Sequence, residues 1–178
     1  QSLLIPDAIT AAVLTADTAF ADEVAAIRPA SFDGDTGRYH LLLAEAAAFR
    51  GAPAAERAHA DSALAWLERQ VQERPDDAKL LARVGVAYAR AGRKADALRS
   101  GRRAAALLHP ARDANSGPFI LVKLAQIYTL VSEPGMALET LEPLLGIPGW
   151  ISGAELRSDP TWAALRTHPG FARLAGSA

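Results

Sequence analysis

The feature that most constrains this chain is a residue pattern that occurs twice, 40 positions apart. Each copy has two apolar residues three positions apart, a small residue directly after the second, a tyrosine three positions later, and an alanine nine positions after the tyrosine. The copies are Leu81, Val84, Gly85, Tyr88 and Ala97, and then Leu121, Leu124, Ala125, Tyr128 and Ala137. Spacings of three and four residues place side chains on one face of a helix, so the pattern predicts repeated helix pairs.

A weaker copy precedes these two, with His40, Leu43, Ala44 and Ala47 at the corresponding positions. The small residue in each copy has a physical reason. Paired helices lie about 8–10 Å apart, and their closest approach leaves no room for a large side chain on both. The 40 alanines of this 178-residue chain fit the same requirement and favour helices.

Breaks rich in glycine and proline divide the chain into helical segments, and no segment alternates as a strand would. We expect one domain of residues 1–178, with a leading helix at 7–28, helix pairs at 36–74, 77–109 and 118–146, and a C-terminal helical cap at 150–178. Because the breaks are short, neighbouring helices should be antiparallel. The predicted fold class is all-α.

The run PDDAKLLARVGVAYARAGRKADAL contains the pattern L-x2-V-G-x2-Y…A, and with this pattern it resembles the tetratricopeptide repeat (TPR) family. The family's period of about 34 residues is stretched here, and Gly101 and Leu141 stand where its second helix usually has an aromatic residue. The resemblance covers about residues 36–146. It implies a right-handed solenoid of helical hairpins, with about three pairs, a leading helix and a cap.

In that family, the first helix of each pair lines a concave groove. The resemblance therefore implies a partner-binding groove lined by Arg38, Leu41, Glu45, Lys79, Arg83, Val86, Arg90, Phe119, Lys123 and Gln126. A lining that is both basic and apolar suits a peptide or a protruding protein element. It does not reproduce the Lys/Asn clamp with which some members of the family bind C-terminal carboxylates.

The net charge of −1 averages two unequal halves, because residues 1–77 carry −7 and residues 78–178 carry +6. A second candidate partner-binding surface is the basic face formed by Arg93, Arg99, Arg102 and Arg103. It would dock an acidic partner, a phosphate or an anionic surface. The alternative is a solvated face that the acidic half partly neutralises. No aromatic residues interleave with these arginines to stack bases, so a nucleic-acid partner is not expected.

The residue patterns of catalysis and of cofactor or metal binding are missing. The chain has no cysteine and no glycine-rich phosphate loop, and none of its four histidines pairs with another ligand at helical spacing in an arrangement typical of a metal site. We therefore expect no enzyme, no catalytic residue, no cofactor and no metal.

The tail duplicates a nine-residue unit in which Leu156, Leu165 and Leu174 align. Together with GIPGWIS, it resembles the end of TPR regions in bacterial serine/threonine kinases and related membrane-bound regulators. Two functions stay open. One is a protein–protein interaction scaffold or accessory subunit of a bacterial complex. The other is the C-terminal sensor or docking region of a larger bacterial signalling protein, such as a membrane-bound kinase or a transcriptional regulator.

The location is inferred from weaker features. The sequence contains no run of about 18 apolar residues, so it predicts no transmembrane segment. The first residue is Gln1 rather than Met, which we interpret as processing or as excision from a longer chain. The excess of 16 arginines over 3 lysines is typical of bacterial genes rich in G+C. We expect an extracytoplasmic or periplasmic bacterial protein whose partner belongs to a membrane-associated complex. The cytoplasm is the alternative.

Overall fold

The computed structural model describes residues 32–108, 113 and 116–176, and every regular element in that part is a helix. The α-helices are α1 (Thr36–Phe49), α2 (Pro53–Glu73), α3 (Ala78–Arg90), α4 (Lys94–Leu107), α5 (Gly117–Leu130), α6 (Pro134–Leu141), α7 (Gly153–Ser158) and α8 (Phe171–Ala175). Two 3₁₀ helices cover Glu142–Leu144 and Pro160–Leu165. The described chain is therefore all-α, as the sequence predicts. The leading helix expected at 7–28 lies outside the described residues.

Helices that are adjacent in the chain pack in pairs: α1 with α2, α3 with α4, and α5 with α6. The pairs in turn contact one another, because α2 packs on α3 and α5 packs on both α3 and α4. The first helix of each of the first two pairs has an aspartate as its N-cap. The side chain of Asp35 accepts a hydrogen bond from the backbone N–H of Arg38, and that of Asp77 accepts one from Leu80. α2, α5 and α6 instead carry proline in the first turn.

The turns inside the three pairs share one backbone geometry. Each first helix ends at a residue with positive φ, which is Gly51 (65°), Gly92 (79°) or Ser132 (60°). In each turn the next backbone N–H donates to the carbonyl oxygen five residues earlier: Ala52 to Ala47 at 2.9 Å, Arg93 to Tyr88 at 2.8 Å, and Glu133 to Tyr128 at 2.8 Å. This is the Schellman termination of a helix. Its threefold recurrence agrees with the internal repeat.

A contact between two successive pairs explains why the repeat needs small residues. Ile127 of α5 is fully buried and packs where Gly85 of α3 and Gly101 of α4 face it. A Cβ atom built on either glycine would lie 2.7 Å from Ile127 Cδ1. The two glycines therefore form the recess into which the next pair inserts its isoleucine.

The duplicated tail packs on the last pair. Leu156, Leu165 and Leu174 are all buried in the same hydrophobic cluster as Leu138 and Leu141 of α6. The tail thus extends the core of the third pair. Its two units differ in detail. In the first unit, Asp159 caps the 3₁₀ helix Pro160–Leu165 by accepting a hydrogen bond from the backbone N–H of Thr161. In the second unit, the Nδ1 atom of His168 accepts a hydrogen bond from the backbone N–H of Gly170, and α8 begins only at Phe171.

Candidate functional site

The first helices of the three pairs, α1, α3 and α5, line a single groove of about 290 Å³. Each helix contributes side chains three or four positions apart, which is one face of a helix. The groove is lined by Phe32, Arg38, Leu41, Leu42, Glu45, Arg83, Val86, Arg90, Phe119, Lys123 and Gln126. The structure therefore brings the groove residues proposed from the sequence together, except for Lys79. Lys79 is exposed in the first turn of α3, outside the lining.

Arg90 is the most buried charge of the groove, with only 4% of its side chain exposed. Its Nη1 donates to Oε1 of Glu56 on α2 at 2.7 Å, and its Nη2 lies 3.6 Å from Oε1 of Glu45 on α1. A buried guanidinium requires such partners because its desolvation is otherwise uncompensated. Arg90 therefore links three helices, and its charge is neutralised within the protein.

Arg83 also has an internal partner. Its Nη1 lies 3.3 Å from Oδ2 of Asp35, whose other carboxylate oxygen accepts from the backbone N–H of Arg38. Asp35 thus caps the N-terminus of α1 and, through Arg83, links α1 to α3. Arg83 keeps about a third of its side chain exposed, so it still contributes a partly neutralised cation to the groove wall.

Lys123 differs from the two arginines. It is half-buried, and among the described residues no carboxylate oxygen lies within 4 Å of its Nζ. The ammonium donates to Oε1 of the buried Gln126 at 3.1 Å and lies 5.9 Å from the ring centroid of Phe119. Burial lowers the pKa of Lys123, while Glu45 attracts its charge from a greater distance.

The remaining lining combines one exposed cation with apolar side chains. The guanidinium of Arg38 lies 5.7 Å from the ring centroid of Phe32 and forms no ion pair with the described residues. Val86 and Leu42 are buried, and Leu41 is half-buried. The groove therefore offers an apolar floor and two cations, Arg38 and Lys123, that form no ion pair with a carboxylate of the described residues.

The basic face proposed from the sequence is on α4 and the turn before it. Its four arginines are exposed, and each has a partner within the molecule. Arg93 pairs with Glu68 and Asp96, Arg99 pairs with Asp96, Arg102 donates to Tyr128 Oη, and Arg103 pairs with Asp76. These contacts favour the solvated-face interpretation, because acidic residues already offset much of the charge.

Two histidines that the sequence does not connect meet between α1 and α2. The Nδ1 atoms of His40 and His59 are 3.3 Å apart, and their rings stack with centroids 5.5 Å apart. Burial, and secondarily the charge of His59, lowers the pKa of His40. Across the described residues, His, Asp and Glu form no group of three or more that could hold a metal ion.

The repeat pattern did not indicate Phe32 and Leu42 of the lining, nor Glu56, which lies outside the lining but holds Arg90. Glu56 belongs to a second helix, and its contact with Arg90 depends on how α2 crosses α3. No periodic signal reports that crossing. Phe32 precedes α1 and contributes through the turn that Asp35 closes. The sequence Asp33-Gly34-Asp35 signals this turn, but a turn signal does not show that the residue before it lines a groove.

Comparison of the whole chain with protein-family models, with curated proteins and with solved structures found no match. Within the described part of the chain, no helix combines the length and the apolar character that crossing a membrane requires.

Proposed function

We propose that this chain is a non-catalytic protein–protein interaction scaffold or accessory subunit of a bacterial complex, in which TPR-like helix pairs present the groove to a segment of a partner protein. The observation that carries the proposal is the convergence of α1, α3 and α5 on one groove. Its lining is apolar at Leu41 and Val86 and cationic at Arg38 and Lys123. Such a mixed lining can bind both the side chains and the charges of a peptide.

The contacts of Arg90 and Arg83 support the same proposal. Both guanidinium groups hold helices together through carboxylates, so the groove walls are fixed before a ligand arrives. A preformed groove spares a partner much of the entropic cost of ordering the site. On the basic face, by contrast, Glu68, Asp96 and Asp76 offset the charges of three of the four arginines, and Arg102 donates to the hydroxyl of Tyr128. We therefore assign partner binding to the groove.

Selection from a random peptide library on the immobilised full chain tests this proposal. We expect enriched peptides that bind the wild type and the basic-face variant Arg99→Glu/Arg102→Glu/Arg103→Glu. Binding should be lost in the groove variant Arg38→Glu/Lys123→Gln. Circular dichroism melting of each variant checks that it is folded. Failure to enrich any peptide, or loss of binding only in the basic-face variant, would contradict the assignment.

A further inference from the structure

We propose that the ammonium group of Lys123 is the specificity determinant of the groove and receives an internal aspartate or glutamate side chain of the partner segment. This inference rests on the proposed function and adds to it the chemistry of the ligand. It commits to an acidic side chain within a peptide, not to a free C-terminal carboxylate.

Lys123 is the one cation of the described groove lining that is both withdrawn from water and without a carboxylate partner, because Arg38 is exposed. The charge of Arg90 is neutralised by Glu56 and Glu45, and Arg83 is paired with Asp35. Lys123 is half-buried, yet its only hydrogen bond to a described residue is to the neutral Gln126. A lysine ammonium has three donors, so two of them remain available to a ligand.

Partial burial increases the energetic cost of leaving this ammonium without a counter-charge. A cation removed from water without a counter-charge is destabilised, which is why burial lowers the pKa of Lys123. A carboxylate from the ligand would supply the missing charge and accept a charge-assisted hydrogen bond. Because the groove is less polar than water, this attraction is stronger there than between exposed groups.

Neighbouring residues define what should accompany the acidic side chain. Gln126 holds the ammonium at 3.1 Å and is itself buried, so the charge has a fixed position. Leu41 and Val86 supply apolar surface in the same groove. The preferred segment should therefore carry an apolar residue close to its acidic one. Arg38 at the exposed rim would favour additional negative charge without fixing its position.

The test is a double-mutant cycle between the protein and a selected peptide. Twelve-residue random peptides are displayed with both ends joined to the carrier, so that no free carboxyl terminus exists. Enriched peptides are synthesised with acetylated and amidated ends, and each Asp or Glu is changed in turn to Asn or Gln. Dissociation constants are measured by fluorescence anisotropy with the wild type, Lys123→Met and Lys123→Arg.

We expect one acidic position whose change to an amide weakens binding to the wild type at least about tenfold, and binding to Lys123→Met less than about twofold. Lys123→Arg should retain most of the wild-type preference for the acid, because it keeps the charge. Lys94→Met removes an exposed lysine paired with Glu133 and serves as the matched control. It should behave as the wild type.

Two results would overturn the inference while leaving groove binding intact. One is an acid-to-amide change that weakens binding by the same factor in wild type and Lys123→Met. The other is a set of enriched peptides without acidic residues. If no peptide is enriched, the proposed function itself fails. Should Lys123→Met not fold by circular dichroism, Lys123→Gln takes its place in the cycle, because it retains a polar side chain of similar length.

Discussion

Arg90 Nη1 donates to Glu56 Oε1 over 2.7 Å, and this contact joins α3 to α2 beneath the groove. The arginine side chain is almost fully buried and the glutamate is 19% exposed, so water screens the pair weakly. Glu45, at 3.6 Å, is a more distant second partner. The groove therefore depends on a charged pair that spans 34 positions of the sequence.

Removing the glutamate of this pair should destabilise the folded chain. We expect Glu56→Ala to lower the free energy of unfolding by about 2–3 kcal/mol, because it leaves a buried guanidinium with only its longer partner. Asp76→Ala removes an exposed partner of Arg103 and is the control, with an expected loss below about 0.5 kcal/mol. Urea unfolding measures both. Equal losses in the two variants would show that Arg90 is not held by Glu56 as described.

The recess for Ile127 predicts an unusual response to a helix-favouring substitution. Gly85→Ala should lower the free energy of unfolding by about 1–3 kcal/mol, although alanine normally stabilises helices, because the new Cβ would lie 2.7 Å from Ile127 Cδ1. Combining it with Ile127→Val, which removes that methyl group, should cost less than the sum of the two single changes. The matched control is Gly135→Ala, whose Cβ meets no atom within 4 Å. Thermal melting should show it neutral or stabilising, and a stabilised Gly85→Ala would disprove the recess.

The turn of the third pair carries a strained residue where the other two pairs carry glycine. Ser132 has a φ of 60°, which glycine adopts without steric cost. Ser132→Gly should therefore raise the free energy of unfolding by about 0.5–1 kcal/mol. The reciprocal change Gly51→Ser, whose new Cβ would meet no atom within 4 Å, should lower the free energy of unfolding by a similar amount. Chemical denaturation of both variants tests whether the turns are equivalent, and changes of the same sign would refute it.

The contact between His40 and His59 predicts a loss of stability in acid. The pKa of His40 is below its ordinary value of 6.5 in the folded chain, so the unfolded chain takes up the proton first as the pH falls. Protonation of His40 is thus disfavoured in the folded chain. The resulting loss of stability is absent above about pH 6.5 and grows as the pH falls from that value to the lowered pKa of the folded chain. We expect His40→Gln to reduce the fall in melting temperature between pH 8 and pH 5.

His168→Gln, which removes a histidine of the tail, is the control for this pH dependence and should leave the acid-induced loss in place. An undiminished loss in His40→Gln would assign it to other groups.

Much of this arrangement follows from local periodicity. Small residues such as Gly85 and aromatic residues such as Tyr88 recur at spacings that the 3.6-residue helical turn requires, so the helices can be predicted. That α1, α3 and α5 share a groove was implied only by the resemblance to the TPR family, and the structure brings side chains of all three helices into one groove. Lys79 shows where periodicity fails. It belongs to the same face of α3, but the groove ends one turn before reaching it. Helical spacing specifies direction around an axis, not how far a neighbouring helix extends along it.

The contacts that give the groove its chemistry could not be predicted in this way. The pairing of Arg90 with Glu56 and the meeting of His40 with His59 depend on the crossing of separate helices. Likewise, the sequence presents five groove cations as equivalent, which are Arg38, Lys79, Arg83, Arg90 and Lys123. The structure separates these cations by their surroundings. Arg83 and Arg90 have carboxylate partners, whereas Lys123 is half-buried and has no carboxylate partner among the described residues.

Nuclear magnetic resonance mapping tests the central claim, that the groove is the partner-binding surface, most directly. The full chain, labelled on backbone amides and methyl groups, is titrated with a selected peptide. We expect the largest shift changes at Leu41, Val86 and Lys123, with Arg99 and Arg103 on the basic face unaffected. Changes confined to the basic face, or no saturable change at the groove, would contradict the account.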